Sequence, residues 1–569
     1  MRVILATDEL LGHTRTGGIG TATTFLALGL GRLGHHVQLL YTAEPPDEPL
    51  AVEWARLYDE AGVGIRILSG GEIRIEPPYF GRMRDVELAL AADPPDVVIA
   101  QDLAAPAYTA IRMRALGLAF ERTLFVVYCH GTRQWITDAA RKVRVLPGAL
   151  GITMLEQASI ELADVVVSPS RYLVDWMRQQ RWQLPPDTLV IPHLTRAVAA
   201  GEPQPRAEAG TERVRRLAFF GRLEERKGIR PFIQGLNALP AGLLHGLEVE
   251  FVGRATPAWT PERVKTILSD RVKASFETNL DQPEALARLA RPGTLAVMPS
   301  FEETFGNTVR ECLDYGIPFI ASTAAAIQEL VAEKDRQRVL FEPTARGVEA
   351  VLRRVLTESE PFRPASAAFD TAVALPAWAD VLETQPVPRG PAERSAHDRP
   401  ESFVFLGDNR DEPEPGVLET LERAQAASGA DIVTCGLHLR GEGGDTLHFF
   451  HGDPGALGLL SNGYGTVGLV RRSLLRDADV PAWPLLAELT LGGARIVSVP
   501  APLGTGRRPA NLERDPAEAL RVAEVFERAL PDAHRPLARL AAGLAAAAAE
   551  RRTPPPARRH TLSRAIRRR

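Results

Sequence analysis

Residues 298–311 read MPSFEETFGNTVRE and place two glutamates, Glu303 and Glu311, in a Glu-x7-Glu pattern. An aliphatic run ends at Met298 and predicts a buried strand, while the pattern after Gly306 predicts a helix. Glu303 then lies in the loop, and Glu311 lies about one and a half turns into the helix. Free N–H groups at Gly306 and Asn307 can bind a phosphate, and the two carboxylates can accept hydrogen bonds from sugar hydroxyls.

Phe305 is expected to pack beneath this loop. Two surface glutamates on an ordinary amphipathic helix are the alternative interpretation. That alternative leaves the apolar and glycine residues around them without a reason.

Residues 220–228 read FGRLEERKG and follow another strand-like run. We expect Arg222 and Lys227 to lie in a strand-to-helix loop, where two cations can bind a diphosphate in place of a divalent metal. Arginine supplies a planar fork of donors and lysine a point charge. Taken alone, a solvated run of charges explains this segment better.

Residues 16–20, TGGIG, open the first long helix after the first strand. Glycines such as Gly17 and Gly18 let the backbone approach a phosphate closely. A tight strand-to-helix connection is an equally good interpretation. A dinucleotide fingerprint on Gly18, Gly20 and Thr23, with Glu44 ending the second strand, fits less well because the preceding loop is long.

The rest of the chain alternates short aliphatic runs with helical patterns, which predicts parallel sheets in doubly wound α/β domains. The predicted strands up to residue 195 are Val3–Ala6, Val37–Tyr41, Ile65–Leu68, Val97–Ala100, Leu124–Tyr128, Val165–Val167 and Leu189–Ile191. We predict Rossmann-like domains at 1–196 and 216–360, joined by a linker at 197–215. A Pro-rich linker at 361–402, a third α/β domain at 403–510, a helical segment at 511–550 and a basic tail at 551–569 follow.

Composition sets further limits. The chain has 569 residues, enough for three to four domains, and its 45% hydrophobic and 24% charged residues are typical of a globular protein. A net charge of -4 does not favour a nucleic-acid-binding surface. Cys129, Cys312 and Cys435 form no CxxC pair, which favours a reducing cytoplasm, and no apolar run is long enough to span a membrane.

Together the three motifs resemble those of the retaining glycosyltransferases of family four, which have the GT-B fold. The resemblance covers about residues 1–360 and implies two Rossmann-like domains that face a cleft, the first for the acceptor and the second for the nucleotide sugar. Arg222 and Lys227 match the pair that binds the donor diphosphate. Glu311 matches the carboxylate on the ribose, and Glu303 the one near the transferred sugar.

The same resemblance places Gly17, Gly18, Phe305, Gly306 and Asn307 around the donor, with Gly18 in the loop that closes over the phosphates. His130, in VVYCHG at 126–131, resembles a histidine that touches the donor sugar, although a structural histidine at a strand end is the alternative. The implied reaction is transfer of a hexosyl-type group (EC 2.4) to a hydroxyl acceptor with no metal, no cofactor and no protein nucleophile. A catalytically inactive GT-B scaffold and a GT-B nucleotide-sugar epimerase remain as alternatives.

Two departures from the family pattern stand out. Where many members have Pro-Asn-Gly near the domain crossover, this chain has Pro192-His193-Leu194. Gly253 is followed by Arg254-Ala255 instead of a second glycine, which predicts altered recognition of the base.

The third domain resembles a truncated, degenerate GT-A-like domain of family-two glycosyltransferases. Asp408 and Asp411 stand for its DxD-like metal site, but no nucleotide-binding half precedes them and no acid lies where the catalytic one is expected. We predict a vestigial site in a domain used for packing, homo-oligomerisation or acceptor binding. The tail at 551–569 has eight arginines and no acid; a solvated end is the first interpretation and contact with an anionic membrane surface the second.

Overall fold

A computed structural model describes residues 1–12, 17–45, 49–143, 146–200, 212–386, 403–407, 411–441, 444–475, 481–507 and 516–531, with isolated positions up to 547. These residues form two compact units. The first comprises 1–72, 79–115 and 119–389, and the second comprises 73–78, 116–118 and 390–569. Most of the predicted linker at 197–215, Asp408 and the basic tail lie outside the described residues.

The strands follow the chain in this order: β1 (Arg2–Thr7), β2 (His36–Tyr41), β3 (Val63–Ile67), β4 (Arg74–Glu76), β5 (Val97–Gln101), β6 (Leu124–Tyr128), β7 (Val165–Ser168), β8 (Thr188–Val190), β9 (Arg216–Phe220), β10 (Glu248–Val252), β11 (Lys273–Glu277), β12 (Thr294–Met298), β13 (Phe319–Ser322), β14 (Leu340–Phe341), β15 (Phe403–Leu406), β16 (Asp411–Pro413), β17 (Ile432–Arg440), β18 (Thr446–His448), β19 (Gly468–Arg471) and β20 (Ile496–Arg507).

The helices are α1 (Gly18–Arg32), α2 (Val52–Glu60), α3 (Tyr79–Ala91), α4 (Tyr108–Ala115), α5 (Arg133–Ala139), α6 (Pro147–Leu162), α7 (Arg171–Gln179), α8 (Arg196–Ala200), α9 (Ile229–Ala238), α10 (Ala241–Leu244), α11 (Pro261–Ile267), α12 (Gln282–Leu289), α13 (Asn307–Tyr315), α14 (Ala325–Leu330), α15 (Glu333–Val339), α16 (Ala345–Thr357), α17 (Ala374–Leu382), α18 (Val417–Ser428), α19 (Ala482–Leu491) and α20 (Pro516–Ala529).

The first unit holds two parallel sheets. The first has seven strands in the order β3-β2-β1-β5-β6-β7-β8, and the second has six in the order β11-β10-β9-β12-β13-β14. Strands β5, β6, β7 and β12 are buried along their whole length, because helices cover both faces of each sheet. Every strand predicted up to residue 195 is present. The aliphatic runs of the second region predict six more strands, and all six are present, at Leu217–Phe220, Val249–Val252, Ala274–Phe276, Leu295–Met298, Phe319–Ala321 and Val339–Phe341; the last begins one residue late, since Val339 ends α15.

The predicted linker at 361–402 requires a correction over its described part. Residues 374–382 form α17, and Trp378 is fully buried in the core that also contains strands of the first sheet. The apolar spacing of Trp378, Val381 and Leu382 suits a helix that packs on one face. The proline content of the surrounding residues concealed this short helix in the sequence.

The second unit contains a mixed sheet. Its main path runs β15-β19-β17-β18-β4, and β20 pairs with β17 and β16. Strands β17 and β20 are parallel, whereas β17 is antiparallel to β18 and to β19. The aliphatic runs Phe403–Leu406, Ile432–Thr434, Thr466–Val470 and Arg495–Val499, which predict four strands here, fall in or overlap β15, β17, β19 and β20. The short β4, which joins the sheet from residues 73–78, was not predicted.

Candidate active site

The sequence-predicted residues meet at the carboxyl ends of the two parallel sheets of the first unit. In such sheets ligands bind at this edge, because the loops and helix N-termini gather there. Residues 221–228 follow β9, residues 299–306 follow β12, and residues 129–132 follow β6. The structure therefore brings together segments that lie far apart in the sequence.

Lys227 and Glu303 form an ion pair at the centre of this edge. The Lys227 Nζ lies 2.5 Å from Glu303 Oε1, and Arg226 Nη1 lies 3.3 Å from Glu303 Oε2. Arg226 also contacts Glu224 at 2.9 Å, and the half-exposed Arg222 reaches the same carboxylate at 3.3 Å. The three cations thus alternate with the carboxylates of Glu224 and Glu303 in the loops that follow β9 and β12.

These contacts fix the charge state of Glu303. Burial alone raises the pKa of a carboxyl group, but the charges of Lys227 and Arg226 outweigh burial and hold the pKa of Glu303 at about 2. Burial in turn lowers the pKa of Lys227, against the attraction of Glu303. Glu303 is therefore an anion at neutral pH and cannot serve as a general acid.

Two glycines let the loops approach this closely. Gly228 has a φ of +73°, and a Cβ there would lie 1.9 Å from the carbonyl oxygen of Pro299. Gly253 has a φ of +145°, and a Cβ there would lie 2.2 Å from the carbonyl oxygen of Gly221. Any side chain at either position forces the loop that carries Lys227 to move.

Glu311 and the start of α13 lie beside the ion pair. Gly306, with a φ of +97°, precedes the helix, which begins at Asn307, as the sequence predicts. Glu311 accepts a hydrogen bond from the side chain of Gln282, and burial raises the pKa of Glu311 to about 7. Phe305 is buried, as predicted for a residue beneath the loop.

His130 is held by a carboxylate that the sequence analysis missed. The backbone N–H groups of His130 and Gly131 each donate to Asp102 at 2.9 Å, and Leu103 N–H donates to it as well. Burial raises the pKa of Asp102 to about 6, although these three hydrogen bonds lower it. The position of Asp102 directly after the buried strand β5 was the signal that could have indicated it.

A second buried carboxylate, Glu156, supports the same loops. It accepts hydrogen bonds from Ala104 N–H at 2.9 Å and Arg133 N–H at 2.8 Å. Ala104 and Ala105 have φ values of +62° and +46°, which L-residues rarely adopt. Such a backbone conformation is unfavourable, so it persists only where surrounding contacts hold it in place.

The glycine loop predicted near the N-terminus also reaches the edge. Glu9 accepts hydrogen bonds from Gly17 N–H at 2.9 Å and Gly20 N–H at 3.1 Å, so a carboxylate already caps α1. A Cβ on Gly18 would lie 2.8 Å from Asn307 Nδ2. Gly18 therefore faces the start of α13.

Several hydrogen bonds join the two halves of this unit across the edge. Ser170 Oγ donates to the Thr304 carbonyl at 2.6 Å, and Thr304 Oγ1 donates to the His130 carbonyl at 2.9 Å. Tyr172 donates to Glu302 at 2.8 Å, beside the Glu303 ion pair. Sequence reasoning missed these contacts because serine, threonine and tyrosine carry no local signal for a partner 130 or more positions away.

Two glycosyltransferase family models match the chain. Residues 16–194 match Glycosyltransferase Family 4, and residues 214–358 match Glycosyl transferases group 1. The chain is a glycosyltransferase. The two matched segments of this glycosyltransferase correspond to its two parallel sheets, in the GT-B arrangement that the motifs predict.

Solved structures similar to the glycosyltransferase include sucrose-phosphate synthase from Thermosynechococcus elongatus, with 18% identity and a TM-score of 0.48 over 67% of this chain and 96% of that one. Starch synthase IV from Arabidopsis thaliana has 14% identity and a TM-score of 0.44 over 68% and 95% of the two chains. WaaG, a glycosyltransferase of lipopolysaccharide biosynthesis, has 17% identity and a TM-score of 0.44 over 68% and 97%. A search of curated proteins finds no match.

Two further observations concern the whole of the described chain. Among the described residues of the glycosyltransferase, no three His, Cys, Asp or Glu side chains meet in a way that could hold a metal ion. Asp411 lies in β16, whereas Asp408 falls outside the described residues. The described helices include none with the length and apolar composition needed to cross a membrane.

Proposed function

We propose that this glycosyltransferase transfers a sugar from a nucleoside-diphosphate sugar to a hydroxyl acceptor, with retention of configuration and without a metal or cofactor. The observation that supports this most is the cluster of three cations, Arg222, Arg226 and Lys227, with the carboxylates of Glu224 and Glu303 in the loops that follow β9 and β12. Cations and helix N–H groups are suited to bind a diphosphate and to stabilise the charge that grows on it as a leaving group.

In this proposal Arg222 and Lys227 bind the diphosphate, and Glu311 accepts hydrogen bonds from the ribose hydroxyls. Lys227 is paired with Glu303 in the structure, so the diphosphate must compete with that carboxylate for the ammonium group. Glu303, ionised because its pKa is about 2, then faces the sugar and stabilises positive charge at the anomeric carbon.

The chemical step needs no protein nucleophile. The anomeric C–O bond to the diphosphate breaks, a new bond forms to the acceptor oxygen on the same face, and a phosphate oxygen of the leaving group takes the acceptor's proton. The neutral imidazole of His130 contacts the sugar, since burial keeps the pKa of His130 well below its usual range. Donor entry requires the hydrogen bonds between the two halves to part, because Thr304 spans the edge.

The test is a panel of UDP-, GDP- and ADP-sugars offered to the full chain, with nucleotide release followed by mass spectrometry and product configuration by NMR. We expect one donor to turn over in the presence of EDTA and to give a retained anomeric configuration. Lys227→Ala should lower kcat/KM at least about 100-fold, the typical cost of losing one stabilising group at the leaving charge. Arg230→Met is the matched control: it removes a nearby arginine whose partner is the exposed Glu225.

Each part of the proposal has its own contrary result. Inversion would refute retention, and loss of turnover in EDTA would refute metal independence. A Lys227→Ala variant as active as the wild type would refute the diphosphate assignment. Failure to bind any nucleotide sugar would refute the proposed donor class.

For the second unit we propose a GT-A-like remnant without a catalytic role of its own. The mixed sheet and the place of Asp411 within the paired strand β16 support this, since a metal ligand is expected in a loop at the strand end. Asp411→Ala should then leave transfer unchanged in the assay above.

We also propose that the enzyme acts in the cytoplasm and that the arginine-rich residues 551–569 bind anionic lipid, which vesicle co-sedimentation with and without phosphatidylglycerol would test.

A further inference from the structure

His193 occupies a position in the fold where the chain passes from the first sheet to the second. It follows β8, and only 6% of the residue is exposed. Its ring lies 4.6 Å from that of Phe305, 5.3 Å from that of His130 and 5.5 Å from that of Tyr128, measured between centroids. Residues of both halves of the first unit therefore surround this one imidazole.

The hydrogen bonding of His193 defines what its free nitrogen can do. Nδ1 lies 2.9 Å from Asn307 Oδ1, so with the amide oxygen as acceptor Nδ1 carries the proton. Burial lowers the pKa of His193 to about 4, so the ring is neutral at pH 7. Nε2 is then a bare acceptor, and it is buried without a partner among the described residues.

Neighbouring rings present the same situation. Both ring nitrogens of His130 and the hydroxyl of Tyr128 are buried and have no hydrogen-bond partner within the described part of the chain. Buried polar atoms nearly always find partners, so four such atoms on three adjoining rings indicate a polar occupant. Asn307, which begins α13, places His193 beside the phosphate-binding segments, because Asn307 Nδ2 also approaches Gly18.

We propose that His193 is a specificity-determining residue whose Nε2 accepts a hydrogen bond from a hydroxyl group of the transferred sugar. The inference rests on the proposed function and extends it to the sugar. A sugar hydroxyl can donate a hydrogen bond, whereas the oxygens of a diphosphate ionised at neutral pH can only accept one. Nε2 therefore distinguishes the sugar from the diphosphate, and it favours a neutral hydroxyl-bearing sugar at this position.

The test compares two ligand classes by isothermal titration of the full chain: UDP, GDP and ADP, and the glucose, galactose and mannose derivatives of each. We expect one sugar nucleotide to bind more tightly to the wild type than the nucleoside diphosphate alone. His193→Phe keeps a ring against Phe305 but removes both nitrogens. It should weaken that sugar nucleotide up to about tenfold, the upper range for one neutral hydrogen bond, and leave the nucleoside diphosphate within about twofold.

Two further variants separate this role from a structural one. His193→Gln restores a side-chain acceptor and should recover part of the lost affinity for the sugar nucleotide. His451→Phe is the matched control, since His451 is a buried imidazole of the second unit and its pKa is also lowered to about 4 by burial. It should change neither affinity. Near-UV circular dichroism checks folding, and His193→Gln decides the case if His193→Phe does not fold.

The contrary results are distinguishable. If His193→Phe binds sugar nucleotide and nucleoside diphosphate as the wild type does, the inference is wrong and the proposed function stands. An equal loss for both ligand classes would show a structural role and would also overturn the inference. If the wild type binds none of these ligands, both the inference and the proposed function fail.

Discussion

The geometry of the ion pair between Lys227 and Glu303 predicts that the folded protein loses stability when the lysine is replaced. Lys227→Met keeps an apolar stem of similar length but removes the cation 2.5 Å from Glu303. Glu303 then stays buried, with Arg226 3.3 Å away. Removing one partner of a buried pair is strongly destabilising, because it leaves a charge out of water without compensation.

The pKa of Glu303 gives the size and the sign of this effect. Burial acts to raise the pKa, but Lys227 and then Arg226 lower it from 4.5 to about 2. Because the folded pKa is below the unfolded one, the stabilisation is present above about pH 5 and is lost as the pH falls towards 2. The difference between the two pKa values corresponds to a stabilisation of the folded state of about 3 kcal/mol at pH 7 and about 1 kcal/mol at pH 3. Lys227 supplies the larger part, so Lys227→Met should lose about 2 kcal/mol or more at pH 7 and about 1 kcal/mol or less at pH 3.

The assay is urea unfolding followed by tryptophan fluorescence at both pH values. Arg230→Met is the control, because the Arg230–Glu225 pair has a similar N–O distance, 2.7 Å, but both side chains are more than a third exposed. Exposed pairs contribute little, so the control should lose less than about 0.5 kcal/mol at either pH. Equal losses for the two variants at pH 7, or a Lys227→Met loss that does not shrink at pH 3, would refute the reasoning.

Three further predictions concern single positions. Gly228→Ala forces a Cβ to within 1.9 Å of a carbonyl oxygen and should cost more than about 3 kcal/mol by thermal unfolding, whereas Gly316→Ala, with a φ of +63° and open space around it, should cost about 1 kcal/mol. Arg114→Met breaks a buried pair with Asp164 at 2.8 Å and should cost about 3–5 kcal/mol. That pair lies at the opposite end of the strands from the site, so the nucleotide affinity of the folded variant should not change. Burial raises the pKa of Asp102 to about 6, so the wild type loses stability as the pH rises from 4 to 6. Asp102→Asn should therefore reduce the pH dependence of the unfolding free energy over this range. An unchanged pH slope would contradict this.

The strands were predictable because the sheets of the first unit are covered on both faces. Runs such as Val97–Ala100 and Leu124–Tyr128 are continuous apolar sequences, and a strand buried on both sides needs that composition. The same reasoning located the start of α13, since the change from an aliphatic run to helical spacing occurs at a glycine with a positive φ. The local sequence was sufficient to predict a feature, such as a buried strand or a helix start, that depends on one element alone.

The buried residues that hold the site loops in place were not predictable, because their role depends on partners that are distant in the sequence. Asp102 and Glu156 act on backbone groups of loops that other elements place beside them. The position of Asp102 after β5 marks the edge of the sheet, but the local sequence does not show which N–H groups either carboxylate binds. Trp378 was hidden in a proline-rich segment and packs 4.9 Å from Tyr128, measured between ring centroids. In each case the deciding partners are more than 20 positions away, so the feature exists only after folding.

Glu303 connects the stability of the site with its function. Burial lowers the pKa of Lys227, and Arg226 and Arg222 lower it further because like charges repel, whereas the attraction of Glu303 raises it. Glu303 therefore favours the charged form of the Lys227 ammonium group in the structure. In the proposed reaction the diphosphate takes over this role, since it brings negative charge to the same ammonium group. The carboxylate that the family resemblance places near the sugar therefore also favours the charged form of Lys227, the lysine proposed to bind the diphosphate, before the donor arrives.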